Sequence, residues 1–306
     1  MPLRSLVDRL RGLLSGPELA DTLIDKGLDI TSPDGRRLFE PVPHACGGTD
    51  VGLVRKNNED MFHVSHDGRL LIVADGMGGH MAGEVASAIA VDTLAQLLGP
   101  ECLRAIDAGE TDAAELFLEV FQATHRRVLD AARARAECRG MGTTLIAGYT
   151  SGDVLYTCHV GDVRCYIRTS ESLVRITEDH SVIEALVRSG KLTAAEAREH
   201  PRRNEILQAV GMETGIAPDV HTHVLRPGDI VLLCSDGLWE MVPEEDIASV
   251  IDSCDSAREC VVRLLDRANQ AGGRDNITAV LYRHGSDTEA DDSSPQNSAS
   301  AARHRR

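Results

Sequence analysis

The chain has 306 residues, 42% hydrophobic and 26% charged, which supplies a sizeable core for one large domain or two small ones. Its 32 basic and 48 acidic residues leave a net charge of −16, which argues against non-specific binding to nucleic acid or anionic lipid. No apolar stretch nears the roughly 20 residues that span a bilayer, and Arg4, Asp8, Arg9 and Arg11 break up any signal-like start.

Taken in order, residues 1–44 read as an N-terminal extension. Leu3, Leu6, Val7, Leu10, Leu13 and Leu14 share one face of a short helix, expected to cover the host domain, with a partner or membrane surface as the alternative. Pro33-Asp34-Gly35 and Pro41-Val42-Pro43 predict turn and linker. Residues 45–284 hold the strand-like runs. Strands are expected up to Val73, then helices over Ala82–Leu98 and Ala113–Ala136. Strands return at Thr143–Tyr149, Val154–Val160 and Arg164–Arg168, followed by helices at Val182–Ser189, Glu244–Asp252 and Ala257–Ala271, with strands at 230–235 and 276–283 interleaved. Blocks of successive strands separated by helices point to an α+β fold of antiparallel sheets with helices outside. The small, polar residues 285–306 are expected to form a disordered tail. The eight cysteines show neither C-x-x-C nor zinc spacing and read as reduced core thiols in a cytoplasmic setting.

Five aspartates sit at the ends of these runs. Asp60 lies in Asn58-Glu59-Asp60, Asp75 in Asp75-Gly76-Met77-Gly78-Gly79-His80, Asp162 after Leu155–Val160, Asp236 in Ser235-Asp236-Gly237 and Asp275 before Ile277–Leu281. Any one Asp-Gly is an ordinary turn signal. Five carboxylates at strand ends, without Cys or His at ligand spacing, suit hard cations such as Mg²⁺ or Mn²⁺. Asp75 is the bridging candidate, because Gly76, Gly78 and Gly79 let the chain turn sharply and bring a backbone carbonyl near a metal. Arg55, five residues before Asp60, offers a guanidinium that clamps two phosphate oxygens.

Over residues 47–283 the chain resembles the metal-dependent protein phosphatase family, protein phosphatase 2C, in its compact bacterial form. The resemblance rests on Thr49-Asp50-Val51-Gly52 with Arg55 and Asn57-Asn58-Glu59-Asp60, on Val73–His80, and on Gly83-Glu84-Val85-Ala86-Ser87. It continues through Gly142-Thr143-Thr144, His159–Arg164, Thr177-Glu178-Asp179-His180-Ser181, Cys234–Trp239 and Asp275-Asn276-Ile277-Thr278. It implies a four-layer αββα sandwich, two antiparallel sheets flanked by helix pairs. It also implies a protein-serine/threonine phosphatase that takes two core Mg²⁺ or Mn²⁺ ions and a weaker third. Asp75 would bridge the core pair and the Gly76 carbonyl would bind one ion. Asp236 and Asp275 would complete the second ion's shell, and Asp60 would act through water. Asp162 with Asp236 would hold the third ion, and Arg55 the substrate phosphate, making Arg55, Asp75 and Asp236 the catalytic set. Hydroxide held between two metals would attack the phosphorus of phosphoserine or phosphothreonine directly, with no phosphoenzyme. The implied partners are phosphorylated proteins, including the bacterial Hanks-type kinases that the enzyme opposes, and a monomer is expected.

Two positions depart from the family pattern. Met77 stands where many eukaryotic members have a histidine proposed as general acid, leaving His80, His180 or a water at Asp162 as proton donor, with a structural role the alternative for either histidine. Val163 replaces the usual serine beside Asp162. Residues 177–211 resemble the mobile flap of bacterial members, where Arg202 and Arg203 either meet a substrate flank or solubilise the loop. A non-catalytic phosphoprotein-binding module is the rival reading, and loss of a core aspartate would favour it. A sporulation-type phosphatase with one dedicated partner is the third, against which the small N-terminal segment argues.

Overall fold

The computed structural model describes residues 36–78, 82–193, 196–197 and 200–285. The expected N-terminal helix, the tail beyond Gly285 and His80 lie outside them. Among the described residues, eleven strands form two antiparallel sheets. The six-stranded sheet runs β1 (Arg36–Val42), β2 (Ala45–Asp50), β11 (Ile277–Arg283), β10 (Ile230–Cys234), β7 (Arg164–Arg168) and β8 (Leu173–Arg175). The five-stranded sheet runs β3 (Asp60–Val64), β4 (Leu70–Met77), β5 (Gly142–Ser151), β6 (Val154–Val160) and β9 (Asp219–Val224).

Alternation along the strands sorts the core into three layers. Phe62, Val64, Leu71, Val73, Leu155, Val231, Leu233 and Val280 fill the space between the sheets. The opposite face of the five-stranded sheet, through Ile72, Ala74, Leu145 and Val160, packs on α1 (Ala82–Leu97), α2 (Pro100–Asp107) and α3 (Ala113–Ala134). The outer face of the six-stranded sheet packs through Leu232, Cys234, Ala279 and Leu281 on α6 (Glu244–Asp252) and α7 (Ala257–Gln270), while α4 (Val182–Arg188) follows β8 in the chain. This is the expected αββα sandwich. All eight cysteines are free and buried, as their apolar surroundings in the sequence suggest.

The boundary expected at 44/45 shifts. Pro41-Val42-Pro43 is not a linker: Arg36–Val42 form β1, hydrogen-bonded to β2 from Arg36 opposite Asp50 to Val42 opposite Ala45. An edge strand tolerates proline because half of its backbone donors face away from the sheet, so proline here was no sign of a linker. Val163 also finds its explanation, since it is 1% exposed in the layer between the sheets, where a serine hydroxyl would need a partner.

Candidate metal centre

The five aspartates meet at one end of the inter-sheet layer. Asp60 and Asp75 are register partners of β3 and β4, so their carboxylates project side by side from the same face. Each lies in a strand rather than just beyond it, and each follows the inward-facing parity of Phe62 or Val73. The other sheet reaches across to Asp60. Its Oδ2 accepts hydrogen bonds from Ser235 Oγ and Thr278 Oγ1, both at 2.7 Å.

Asp236 opens α5 (Asp236–Trp239), a single turn directly after β10. A Cβ on Gly237 would collide with the Asn276 carbonyl oxygen, so glycine is what lets this turn lie against the segment carrying Asp275. Asn276 is the hub of the neighbouring loop. Its Nδ2 donates to the carbonyls of Val51 (3.0 Å) and Asn57 (2.9 Å), and its Oδ1 accepts from the Glu59 amide at 2.8 Å. Those bonds pin the loop bearing Arg55, whose guanidinium donates to Asp275 Oδ2 at 2.7 Å. Gly76 has no room for a side chain, because a Cβ would strike the carbonyl oxygens of Gly83 and Glu59. Asp162 is set by Gly161, which has φ +102°, and by Trp239 Nε1, which donates to the Asp162 carbonyl at 3.1 Å. The Arg164 guanidinium lies 3.5 Å from the centroid of the Trp239 ring and is bidentate to Asp179 at 2.7 and 3.0 Å.

This concentration of negative charge shows in the acidities. Burial first, then repulsion from Asp60, Asp236, Asp162 and Asp275, holds the Asp75 carboxyl well above the usual range. Asp236 is raised likewise by burial and then by Asp162 and Asp275. Burial pushes Asp60 up to about 7 despite its two hydroxyl donors. Asp162 also rises to about 7, through burial and then Asp179. Asp60 Oδ1 and Asp236 Oδ1 are both buried without a hydrogen-bond partner. Acceptor oxygens without donors, on carboxylates that repel one another, fit divalent cations with oxygen preference.

The proton-donor candidates fare differently. His180 accepts the Gly161 amide at Nδ1 (3.2 Å), which leaves Nε2 protonated and directed to Asp219 Oδ2 at 3.1 Å. With both nitrogens engaged, it is a strut between β6, the flap and β9 rather than a free acid. A nitrogen of His180 lies within 4.8 Å of a ligand atom of His159 and of Asp219, the geometry of a loose cation site. Its tautomer works against that use, since a metal on Nε2 would place a proton on Nδ1 facing the Gly161 N–H. The sequence reading missed Asn276, Ser235, Thr278 and Trp239 as supports. Asn276 and Ser235 adjoin a chosen aspartate, and a polar residue flanking a candidate ligand was the available signal; Thr278 and Trp239, farther along from Asp275 and Asp236, offered none.

The family model for protein phosphatase 2C matches residues 54–281. The serine/threonine phosphatase stp of Listeria welshimeri is 36% identical over 241 residues, covering 78% of this chain and 94% of that one. Among solved structures, the Mycobacterium tuberculosis serine/threonine phosphatase PstP/Ppp superposes with a TM-score of 0.67 at 35% identity, covering 81% of this chain and 98% of that one. The catalytic domain of PstP in complex with two manganese ions gives a TM-score of 0.65 at 34% identity, covering 80% and 96%.

Proposed function

Because the chain belongs to the protein phosphatase 2C family of metal-dependent protein serine/threonine phosphatases, we propose that it hydrolyses phosphoserine and phosphothreonine by direct attack of water. Two core Mg²⁺ or Mn²⁺ ions would be held by Asp75, the Gly76 carbonyl, Asp236 and Asp275, with Asp60 supporting through water and Asp162 with Asp236 taking a weaker third. The observation that carries this reading is the pair of buried, unpartnered oxygens on Asp60 and Asp236 amid mutually repelling carboxylates. Such ions supply Lewis-acid polarisation of the phosphoryl group and a hydroxide nucleophile near neutral pH.

The protein's own groups do the rest. Arg55, half-exposed at the rim, anchors the phosphate, and its bond to Asp275 sets the arm's resting direction. Ser235, Thr278 and Thr49 fix Asp60 through a chain of hydroxyls that joins the two sheets. Asn276 holds the phosphate-anchoring loop against the Asp275 loop, so that anchor and ligands keep one geometry. Met77 has no proton to give, and His180 is engaged at both nitrogens, which leaves His80, outside the described residues, or water at the Asp162 side to protonate the leaving alkoxide.

The proposal extends to a monomeric, cytoplasmic enzyme opposing bacterial Hanks-type kinases. Its supports are the free, buried thiols, the lack of any described helix long and apolar enough to cross a membrane, and similarity to bacterial serine/threonine phosphatases. The test is hydrolysis of p-nitrophenyl phosphate and a phosphothreonine peptide in Mn²⁺, with and without chelator, by wild type and Asp75→Asn. Activity confined to wild type with Mn²⁺ is expected. Full activity in EDTA would overturn the reading.

A further inference from the structure

Leu53 and Val54 are 69% and 65% exposed, a consecutive apolar pair immediately before the phosphate-anchoring Arg55. Single exposed hydrophobics are common on any surface and call for no explanation. These two differ in how firmly they are held. Gly52 has φ +78°, and a Cβ there would collide with the Asp275 carbonyl oxygen. The Leu53 amide donates to the Gly273 carbonyl at 2.7 Å. Asn276 ties down both ends of the segment through the Val51 and Asn57 carbonyls. The loop is therefore bolted to the one that carries Asp275, and the backbone that bears its two apolar side chains is held in a fixed position. Pre-ordered apolar surface costs little further entropy on binding, which is what a recognition surface requires.

We propose that Leu53 and Val54 form an apolar shelf that selects phosphoprotein substrates with a large apolar side chain next to the phosphorylated residue. This rests on the reading of Arg55 as the phosphate anchor. With the phosphate fixed at Arg55, the residue flanking the phosphoserine or phosphothreonine falls beside the two preceding side chains of the same loop. Adjacency to that anchor is what makes the shelf's occupant the substrate's own chain. Contact with a remote part of the substrate also aligns the ester for attack, so the gain appears in kcat/KM.

The experiment compares phosphothreonine peptides that carry Leu or Ala on either side of the phosphorylated residue, with acetyl-phosphothreonine amide as the flank-free control. All are assayed in Mn²⁺ with wild type, Leu53→Ser, Val54→Ser and the double variant. Wild type is expected to prefer a Leu flank by about tenfold in kcat/KM, the scale of partial burial of one aliphatic side chain. The double variant is expected to lose that preference, with its rate on the control unchanged within about twofold. Both side chains are exposed, so the variants should fold, and the control reaction reports whether they do. Hydrolysis without flank preference in wild type, or a preference that survives in the double variant, overturns the shelf alone. Failure of wild type to hydrolyse any of the substrates overturns the phosphatase reading and the shelf together.

Discussion

Replacing Asp60 by Asn should stabilise the protein when divalent ions are removed. Asp60 is 2% exposed, and its carboxyl rises from 3.8 to about 7 in the fold, chiefly through burial. Between about pH 4 and 7 the folded state therefore holds a proton that the unfolded state has released. Stability falls as pH rises through that window and is restored below it, where both states are protonated. At 1.36 kcal/mol per pH unit, the rise from 3.8 to about 7 costs about 4 kcal/mol above pH 7. Asn carries no charge, and its carbonyl keeps the bonds from Ser235 and Thr278, while its amide buries an unpaired donor at a cost of about 1–2 kcal/mol. The net gain of about 2–3 kcal/mol corresponds to roughly 5–10 °C in Tm for a domain of this size. Calorimetry in EDTA at pH 7.5 and at pH 4.5 checks it, with the gain present at the first and absent at the second. In saturating Mn²⁺ the order should reverse, because wild type has the additional anionic oxygen. A variant that melts below wild type in EDTA at pH 7.5, or gains equally at pH 4.5, would refute the reasoning.

Arg55→Ala should raise KM for a phosphothreonine peptide by about tenfold to a hundredfold with a smaller change in kcat, the scale of one charge-assisted hydrogen bond. An unchanged KM would move the phosphate anchor elsewhere. Gly76→Ala places a Cβ on the carbonyl oxygens of Gly83 and Glu59, so kcat/KM should fall at least about a hundredfold through displacement of Asp75. Arg164→Met should lower stability by about 3–5 kcal/mol in denaturant melts, since Asp179 is 8% exposed and loses its bidentate partner. By contrast, Arg168→Met, which loses a pair with the half-exposed Asp252, should cost under about 1 kcal/mol.

The sequence was most legible where chemistry and periodicity coincided. The long helices Ala82–Leu97, buried on nearly every face, and Ala113–Ala134, amphipathic, and the apolar strand before Asp236 stand within a residue or two of their expected bounds, whereas the strand carrying Asp75 runs on past Val73 to Met77. The short edge strand β8 and the half-exposed β9 escaped, because three residues, or alternating His and Thr, carry little hydrophobic pattern. β1 escaped because Pro41, followed by Pro43 just beyond the strand, read as punctuation, although an edge position accommodates it. The site was legible as a set of aspartates but not as a geometry. Spacing alone did not show that Asp60 and Asp75 are register partners, or that Asn276 ties the Arg55 loop to Asp275. Nor did it show that the two nitrogens of His180 are already spoken for, which needs the positions of Gly161 and Asp219.

The central claim is that these aspartates bind the cations on which hydrolysis depends. It is tested most directly by titrating metal-free protein with Mn²⁺ while following free Mn²⁺ by electron paramagnetic resonance and turnover of a phosphothreonine peptide in parallel. Two tight ions per chain, with activity rising as the second binds and both lost in Asp75→Asn, is the predicted result. Turnover before any Mn²⁺ is bound, or tight Mn²⁺ binding that survives in both Asp75→Asn and Asp236→Asn, would contradict it.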